Sequence, residues 1–348
     1  MSQPIGHLLM TACAMNRIRP DLLNTYPNFI ALGALGPDWF YTALGGMNGY
    51  GEISDELHRS GSSIMYQSML ELAKEHRYSD RLQEYEETIS FAHGFISHVI
   101  ADCIFHPFVN RRANNAWEGE KHGDSRHAGV ETVIDNLLLE KYHMPDFNLF
   151  CSDANRTGRV DAQILQCMFT GMKNSYSNSS WWNRICDRDW DDYHHPFNIA
   201  YRACFQWDSF SDMGRVFHFN SNALIQHLKG MTLQTVSVET GLNSARIPWC
   251  EAANNEMLIE SSLELIDLSI RAIAEAISDG ERYVEQNLSD FESSSIPFFT
   301  TDYNLDTGLP SAYNNEILGN YRGENRFTFK TDLLRENYDW TYTLPALD

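Results

Sequence analysis

Residues 90–110, SFAHGFISHVIADCIFHPFVN, constrain the fold more than any other part of this chain. Their apolar side chains recur at a spacing near 3.6 residues, which predicts a helix. On that helix His98, Asp102 and His106 are four residues apart, so they project from one face. A core helix normally keeps such a face apolar, because an uncompensated carboxylate or imidazole is costly to bury. A bound cation would remove that cost, so the segment predicts a metal site inside a helical protein.

A second pair of candidate ligands lies in residues 122–141, HGDSRHAGVETVIDNLLLEK, where His127 and Glu131 are also four residues apart. Taken alone, this pair is better explained as an exposed His/Glu pair on a helix. Taken with the first stripe, it fits a metal site, because ligands on two helices can converge in a bundle core. His93 and His122 fall off the stripe or in a loop and are predicted to be ordinary histidines.

Three more residues stand in unusual settings: His7 near the chain start, Asp38 after Gly-Pro in LGALGPDWFY, and His58 in SDELHRSGSS. Singly, Asp38 is explained as a helix cap or turn residue, and the two histidines as ordinary polar positions. Together the candidates comprise five histidines, two aspartates and one glutamate. Zinc prefers such donors where thiolates are absent. The seven cysteines are scattered without a C-x-x-C pair and are predicted to be mostly buried thiols.

The remaining sequence predicts an all-α fold. Strong strand alternation is absent before about residue 290, and residues 45–54 are predicted to form a loop. Beyond residue 293 the sequence becomes aromatic and rich in turns. We therefore predict a helical domain over residues 1–293 and an irregular C-terminal cap over residues 294–348. The predicted helices span roughly residues 5–15, 63–75, 80–104, 127–142, 161–173, 197–207, 213–229 and 255–286.

Charge and hydropathy limit the classes of binding partner and the cellular locations that we expect for this protein. A formal net charge of −21 disfavours partners held by a broad basic surface, such as nucleic acid or anionic lipid. The N-terminus lacks a basic leader followed by a long apolar run, so no Sec signal peptide is predicted. No window approaches the ~20 apolar residues of a transmembrane helix. We expect a cytoplasmic protein, or one exported by a route that does not read a leader.

The order of these motifs resembles the zinc-dependent phospholipase C family, whose superfamily also contains single-strand nucleases. His7, then GPDWFY, then His58 precede an H-x-x-x-D motif with a later histidine and, finally, an H-x-x-x-E motif. The resemblance covers roughly residues 1–290 and implies a multi-helix bundle of the phospholipase C/nuclease type. One departure is that His106 follows Asp102 by only four residues, whereas secreted members have a longer gap with a proline before the histidine.

The resemblance also implies about three zinc ions. The implied ligands of the first zinc are Asp38, His58, His98 and Asp102. The implied ligands of the second zinc are His106, His127 and Glu131. The implied ligands of the third zinc are Asp102, His7 and the α-amino and carbonyl groups of the first residue, which is Ser2 once Met1 is removed.

The implied activity is that of a phospholipase C in lipid degradation. Such an enzyme would hydrolyse phosphatidylcholine or a similar phospholipid to diacylglycerol and a phosphorylated headgroup, through peripheral contact with the membrane surface. Asp38 would orient or deprotonate the attacking water. A zinc-dependent nuclease or phosphodiesterase of the same superfamily is the nearest alternative, although nucleic acid is not the first choice of substrate. A non-catalytic helical metal-binding protein is the other, but a di-iron bundle would show duplicated E-x-x-H motifs. The sequence predicts no oligomeric state.

Overall fold

The structure, a computed structural model, is mainly helical in the part of the chain that it describes, as the sequence predicts. That part comprises residues 4–38, 40, 50–112, 130–131, 133–135, 158–178, 182, 241–250, 257–286, 302–306 and 308.

The described chain forms eight labelled helices and one short hairpin, and residues 130–131 and 133–135 are helical as well. The helices are α1 (Pro4–Ile18), α2 (Pro20–Thr25), α3 (Pro27–Ala34), α4 (Tyr50–Arg59), α5 (Ser62–Tyr78), α6 (Leu82–Arg112), α7 (Gly158–Tyr176) and α8 (Ser262–Glu285). A 3₁₀ turn (Gly36–Asp38) follows α3. The strands β1 (Trp249–Cys250) and β2 (Met257–Leu258) pair antiparallel.

Several helix predictions are confirmed, and others need correction. Helices α1, α5, α6 and α7 lie where the apolar period predicts them. The predicted loop over residues 45–54 is wrong from Tyr50 onward, where α4 begins. The last long helix does not begin near residue 255, because a capping box between Ser261 and Glu264 starts α8 at Ser262. The predicted helices at 197–207 and 213–229 lie outside the described residues.

Helix α6 is the centre of the fold. It contacts α1, α3, α5, α7 and α8, and every one of its residues from Glu87 to Asn110 is buried. The expectation that no window approaches a transmembrane helix needs correction, because α6 is long and apolar enough to cross a membrane by length and composition; its most apolar window is wholly buried inside the protein. A helix that is covered on all sides has no solvent for its polar residues. The stripe of His98, Asp102 and His106 therefore faces the protein interior.

A close crossing of α3 and α6 brings two parts of the site together. Helix α3 lies so near α6 that a Cβ atom added at Gly33 would overlap the carbonyl oxygen of Phe91. A Cβ atom added at Gly94 would likewise overlap the carbonyl oxygen of Ile30. Only glycine permits this approach at both positions. The crossing carries the end of α3, and the 3₁₀ turn after it, to the ligand stripe of α6.

The described part of the C-terminal region packs directly against the helical body. The carboxylate of Asp302 accepts hydrogen bonds from the backbone N–H groups of Gly61 (2.6 Å) and Ser63 (3.2 Å), and so caps the first turn of α5. The Leu305 N–H donates to the carbonyl of His58 at 2.7 Å. Most of residues 294–348, and the predicted boundary at residue 293, lie outside the described residues.

Candidate metal centre

Seven of the nine predicted ligands converge in one buried cluster. It draws on α1, the 3₁₀ turn, α4, α6 and the helical residues near 131. Its members are His7, Asp38, His58, His98, Asp102, His106 and Glu131, all less than 9% exposed. The other two predicted ligands, Ser2 and His127, lie outside the described residues.

Asp102 is the hub of this cluster. Its Oδ1 atom lies 3.2 Å from Nε2 of His7 and 3.4 Å from Nε2 of His106. Its Oδ2 atom lies 2.9 Å from Nε2 of His98 and 3.2 Å from Nε2 of His58. One carboxylate therefore faces four imidazoles, two on each oxygen, which is the position that a bridging ligand requires.

Two further carboxylates extend the cluster, Asp38 beside His58 and His98, and Glu131 beside His106. Asp38 places Oδ1 3.3 Å from His58 Nε2 and Oδ2 3.8 Å from His98 Nε2. Glu131 places Oε1 3.5 Å from His106 Nε2. On the Asp38 side, two sets of three residues bring one ligand atom each to within 4.8 Å of the others. These sets are His7, Asp38 and His98, and His58, His98 and Asp102.

Two of the histidines are oriented by a hydrogen bond on Nδ1, the ring nitrogen that points away from the carboxylates. Nδ1 of His58 lies 2.7 Å from the carbonyl oxygen of Ser54, and Nδ1 of His98 lies 2.8 Å from that of Ala34. A carbonyl only accepts, so both Nδ1 atoms donate their protons to it, and Nε2, which faces the carboxylates, is the ring nitrogen that a metal can bind once it displaces the proton there. Metal-binding histidines are oriented in this way. Nδ1 of His106 is also contacted, by a carboxylate described below.

Local structure explains how Asp38 reaches the site. Pro37 lies inside the 3₁₀ turn, and its carbonyl accepts a 2.7 Å hydrogen bond from the Ser54 hydroxyl of α4. Ser54 therefore contacts both the turn that carries Asp38 and the ring of His58, since its own carbonyl accepts from His58. The turn that carries Asp38 and the helix that carries His58 are joined through this one residue.

The donor set fits zinc better than it fits an unoccupied polar core. Among the described residues, both carboxylate oxygens of Asp38, Oδ2 of Asp102 and Nε2 of His98 are buried and make no hydrogen bond. The ion-pair contacts of Asp38 and Asp102 in the described chain are all with histidines. Buried groups of this kind are costly without a counter-charge. Imidazole and carboxylate donors are what zinc binds where thiolates are absent.

The titration behaviour agrees with a site that is built for cations. Burial alone would lower the pKa of His58, but the carboxylates of Asp102 and Asp38 outweigh it and raise that pKa well above 6.5. Burial alone would raise the pKa of Asp102, but the surrounding histidines, led by His106 and His98, hold it well below its usual range. Without metal, the carboxylates stay ionised, and protonated imidazoles next to them supply the balancing positive charge. A metal must displace those protons, so its binding depends on pH.

Sequence reasoning missed two residues that the structure places at this site. Asp306 lies with its Oδ1 atom 3.3 Å from Nδ1 of His106. Asp135 accepts a 2.8 Å hydrogen bond from the N–H of Gly6, and so ties the helical residues near Glu131 to the first turn of α1. Asp135 follows Glu131 at helical spacing, which is a signal that could have been used. Asp306 lies in a turn-rich segment and carries no local signal.

The model of the zinc-dependent phospholipase C family matches residues 6–195, which is more than half of the chain. The chain belongs to the zinc-dependent phospholipase C family. Comparison with the curated proteins and with the solved structures gives no match. The family match contains the seven clustered donors and His127, but it ends well before Asp306. Membership supports a zinc-dependent phospholipase C function in general terms, and the clustered histidines and aspartates could hold the metal.

Proposed function

We propose that this protein is a zinc-dependent phospholipase C that hydrolyses phosphatidylcholine or a similar zwitterionic phospholipid. The observation that carries the proposal is the convergence of four histidines on the buried carboxylate of Asp102, with Asp38 and Glu131 on either side. The family match gives the reaction class to which such a centre belongs.

We assign about three zinc ions to this centre. Asp38, His58, His98 and Asp102 would hold the first. His106, His127 and Glu131 would hold the second. Asp102, His7 and the amino terminus of Ser2 would hold the third. The four contacts of Asp102 support its assignment to more than one metal, since each of its oxygens faces two imidazoles.

Bound zinc supplies a Lewis acid that polarises the phosphoryl oxygens and makes water acidic near neutral pH. The protein supplies position and proton transfer. We assign to Asp38, whose two oxygens lie 3.3 Å from His58 and 3.8 Å from His98, the role of orienting the attacking water and accepting its proton. The attack displaces diacylglycerol from phosphorus and leaves the phosphorylated headgroup.

The acidic surface favours a zwitterionic lipid over a polynucleotide. A polynucleotide must pass its flanking phosphates across a protein with a net charge of −21, where nucleic-acid enzymes normally place lysine or arginine. Phosphatidylcholine brings one phosphate and its own ammonium group. We therefore propose peripheral contact of this protein with a membrane surface as the setting for catalysis.

The metal centre is tested by comparing two buried histidines of α6. His98→Gln removes a ligand, whereas His93→Gln alters a histidine that is equally buried but pairs with Glu281 outside the cluster. We expect elemental analysis to show about three zinc ions in the wild type and in His93→Gln, and fewer in His98→Gln. Wild-type protein that is active with one ion or none would refute the three-zinc assignment.

The substrate is tested by measuring kcat/KM of the zinc-loaded protein on phosphatidylcholine vesicles and on single-stranded DNA at matched ionic strength. We expect phosphocholine release to be the faster reaction. A clear preference for DNA would make the nuclease the better proposal. Zinc binding without either activity would instead favour a non-catalytic metal-binding protein.

The third zinc is tested at the amino terminus. His7, in the first turn of α1, has its Nε2 atom 3.2 Å from the Asp102 carboxylate, which supports a ligand from the chain start for the ion assigned to these two residues. An uncleavable N-terminal extension should then lower both the zinc content and the turnover. A tagged protein with full zinc content and full activity would exclude the amino terminus as a ligand.

A further inference from the structure

The imidazole of His106 is held differently from those of the other two oriented histidines. His58 and His98 each face a backbone carbonyl with Nδ1. Nδ1 of His106 lies 3.3 Å from the carboxylate of Asp306, in a short C-terminal segment of which residues 302–306 and 308 are described, called segment 302–308 below. The side chains of His106 and Asp306 are 7% and 16% exposed, so this contact is largely shielded from water.

The segment 302–308 is anchored so that Asp306 has little freedom. The Asn110 side chain of α6 donates a 3.0 Å hydrogen bond to the Asp306 carbonyl. The Asp306 N–H donates at 2.9 Å to the side-chain oxygen of Asn304, and the Leu305 N–H donates to the carbonyl of His58. The backbone around Asp306 is therefore fixed to α6 and α4, the two helices that carry His58, His98, Asp102 and His106.

Gly308, at the end of this segment, lies where one backbone hydrogen bond of α6 is missing. Pro107 has no N–H, so it cannot donate to the carbonyl of Cys103 one turn earlier. Gly308, with a φ of +65°, lies against that carbonyl, and a Cβ atom at this position would come within 2.5 Å of the oxygen. The segment thus meets α6 at the turn that carries His106.

We infer that Asp306 is a positioning residue for the second zinc site, and that segment 302–308 completes the metal centre from outside the family's matched region. This inference rests on the proposed zinc function. The Asp306 carboxylate lies 3.3 Å from Nδ1 of His106, where its charge favours a proton on that nitrogen, so Nε2, which lies near Glu131 and Asp102, is the atom left to bind the metal, and the imidazole becomes a stronger ligand. A backbone carbonyl can orient a histidine in the same way, but it does not bring a negative charge.

The inference is tested with Asp306→Asn and Asp306→Ala in the full chain, with Asp302→Asn as the matched control. Asp302 lies in the same segment, but it caps α5 and has its hydrogen bonds with Gly61, Ser62 and Ser63. The measurements are zinc affinity by chelator competition, zinc ions retained per chain, and the visible absorption spectrum after replacement of zinc by cobalt. The zinc ion that is lost in Glu131→Gln identifies the second site.

We expect Asp306→Ala to lower the affinity for one of the bound zinc ions by about 10- to 100-fold, the range found when a hydrogen-bond partner of a metal ligand is lost. Asp306→Asn should lower this zinc affinity less, because an amide oxygen can still face Nδ1–H of His106. The ion lost should be the one lost in Glu131→Gln, and the cobalt spectrum should change. Asp302→Asn should keep the wild-type zinc affinity and spectrum, although it lowers the thermal midpoint.

Two results would overturn the inference while leaving the proposed function intact. One is wild-type zinc affinity in Asp306→Ala with only a lowered thermal midpoint, since that describes a purely structural contact. The other is an equal loss of zinc in Asp302→Asn, since that assigns the effect to docking of the segment and not to the carboxylate. Wild-type protein that binds no zinc would overturn the proposed function itself, and this inference with it.

Discussion

Helix α6 carries two buried clusters that both combine histidine with carboxylate, yet they are built differently. In its first half, His93 donates to Glu281 of α8 at 2.9 Å, and Arg19 binds the same carboxylate at 2.5 Å. In its second half, Asp102 is paired in the described chain with histidines alone. The first cluster thus contains a permanent cation, whereas the second contains only groups that can lose their protons.

The difference separates a histidine that is paired within the protein from a histidine that is a candidate metal ligand. Arginine remains charged at any pH at which the protein is folded, so the Glu281 carboxylate has a counter-charge without any cofactor. The carboxylates of Asp38 and Asp102 have only imidazoles in the described chain, and an imidazole that loses its proton becomes a ligand. Burial and residue type are the same for His93 and His98. The nature of the neighbouring cation is what distinguishes them.

The largest effect is expected from Asp102→Asn in the metal centre. Because Asp102 contacts four histidines and Glu131 contacts one of them, we expect Asp102→Asn to lose more activity than Glu131→Gln. A metal contributes several kcal/mol to the transition state, which corresponds to roughly 10²- to 10⁴-fold in rate. The check is kcat/KM of both variants at saturating zinc. Equal residual activities would contradict the bridging role of Asp102.

The next effect is expected from Gly94→Ala, because this glycine lies between the two clusters. The added methyl group must push α3 away from α6, which costs about 3 kcal/mol at the upper end of overpacking effects. Since α3 leads to Asp38 and provides the carbonyl for His98, zinc affinity should fall as well.

Gly171→Ala in α7 serves as the control for Gly94→Ala, because its closest neighbour is the flexible end of the Met69 side chain. Urea unfolding and zinc competition on both variants provide the comparison. Unchanged zinc affinity in a destabilised Gly94→Ala protein would show that the helix crossing does not set the geometry of the metal centre.

A smaller effect is expected from Glu281→Gln, which should lower the free energy of unfolding by about 2 kcal/mol at neutral pH and leave zinc content unchanged. Burial by itself raises the pKa of Glu281, but the hydrogen bond from His93 and the charge of Arg19 lower it below 4.5. The contribution of this carboxylate is therefore complete above about pH 4.5 and is lost as the pH falls through its folded pKa.

Unfolding of the wild type and of Glu281→Gln at a series of pH values checks this prediction. The difference between their unfolding free energies should shrink on acidification. Zinc loss in acid affects both proteins alike and so leaves the difference intact. A difference that grows as the pH falls would mean that Glu281 is less acidic in the folded protein than in the unfolded chain.

The smallest effect is expected from Ser261→Ala, far from the chemistry of either cluster. The Ser261 side chain accepts from the N–H of Glu264 and starts α8, which carries Glu281. Loss of such a cap costs about 1 kcal/mol. Thermal unfolding should report this loss, with zinc content and kcat/KM unchanged. A change in kcat/KM would show that α8 transmits strain to the metal centre.

The metal centre could be predicted from the sequence to the extent that its ligands share helices. His98, Asp102 and His106 repeat every four residues, and that spacing alone places them on one face. The resemblance to a zinc family added His7, Asp38 and His58, and the structure brings these three to the same cluster. The short helices α2 and α3 escaped prediction, because six or eight residues are too few to show a period.

Long-range partners could not be predicted in the same way. The hydrogen bond from His93 to Glu281 spans 188 residues of sequence, and the contact between His106 and Asp306 spans 200. An isolated aspartate in a turn-rich segment looks the same whether it meets water or a histidine. The glycines at the crossing of α3 and α6 also have no local signal, since glycine in a helix marks a close approach only when the second helix is known.

The sequence by itself determined that α6 is a helix with three polar residues on one face, because helical periodicity is a property of neighbouring residues. It also identified the family, because the order of the motifs can be recognised in the sequence without a structure. Only the tertiary structure decided which polar group each buried carboxylate meets. That choice depends on how helices distant in sequence cross, and it separates an arginine-neutralised carboxylate at Glu281 from carboxylates at Asp38 and Asp102 that are suited to a metal.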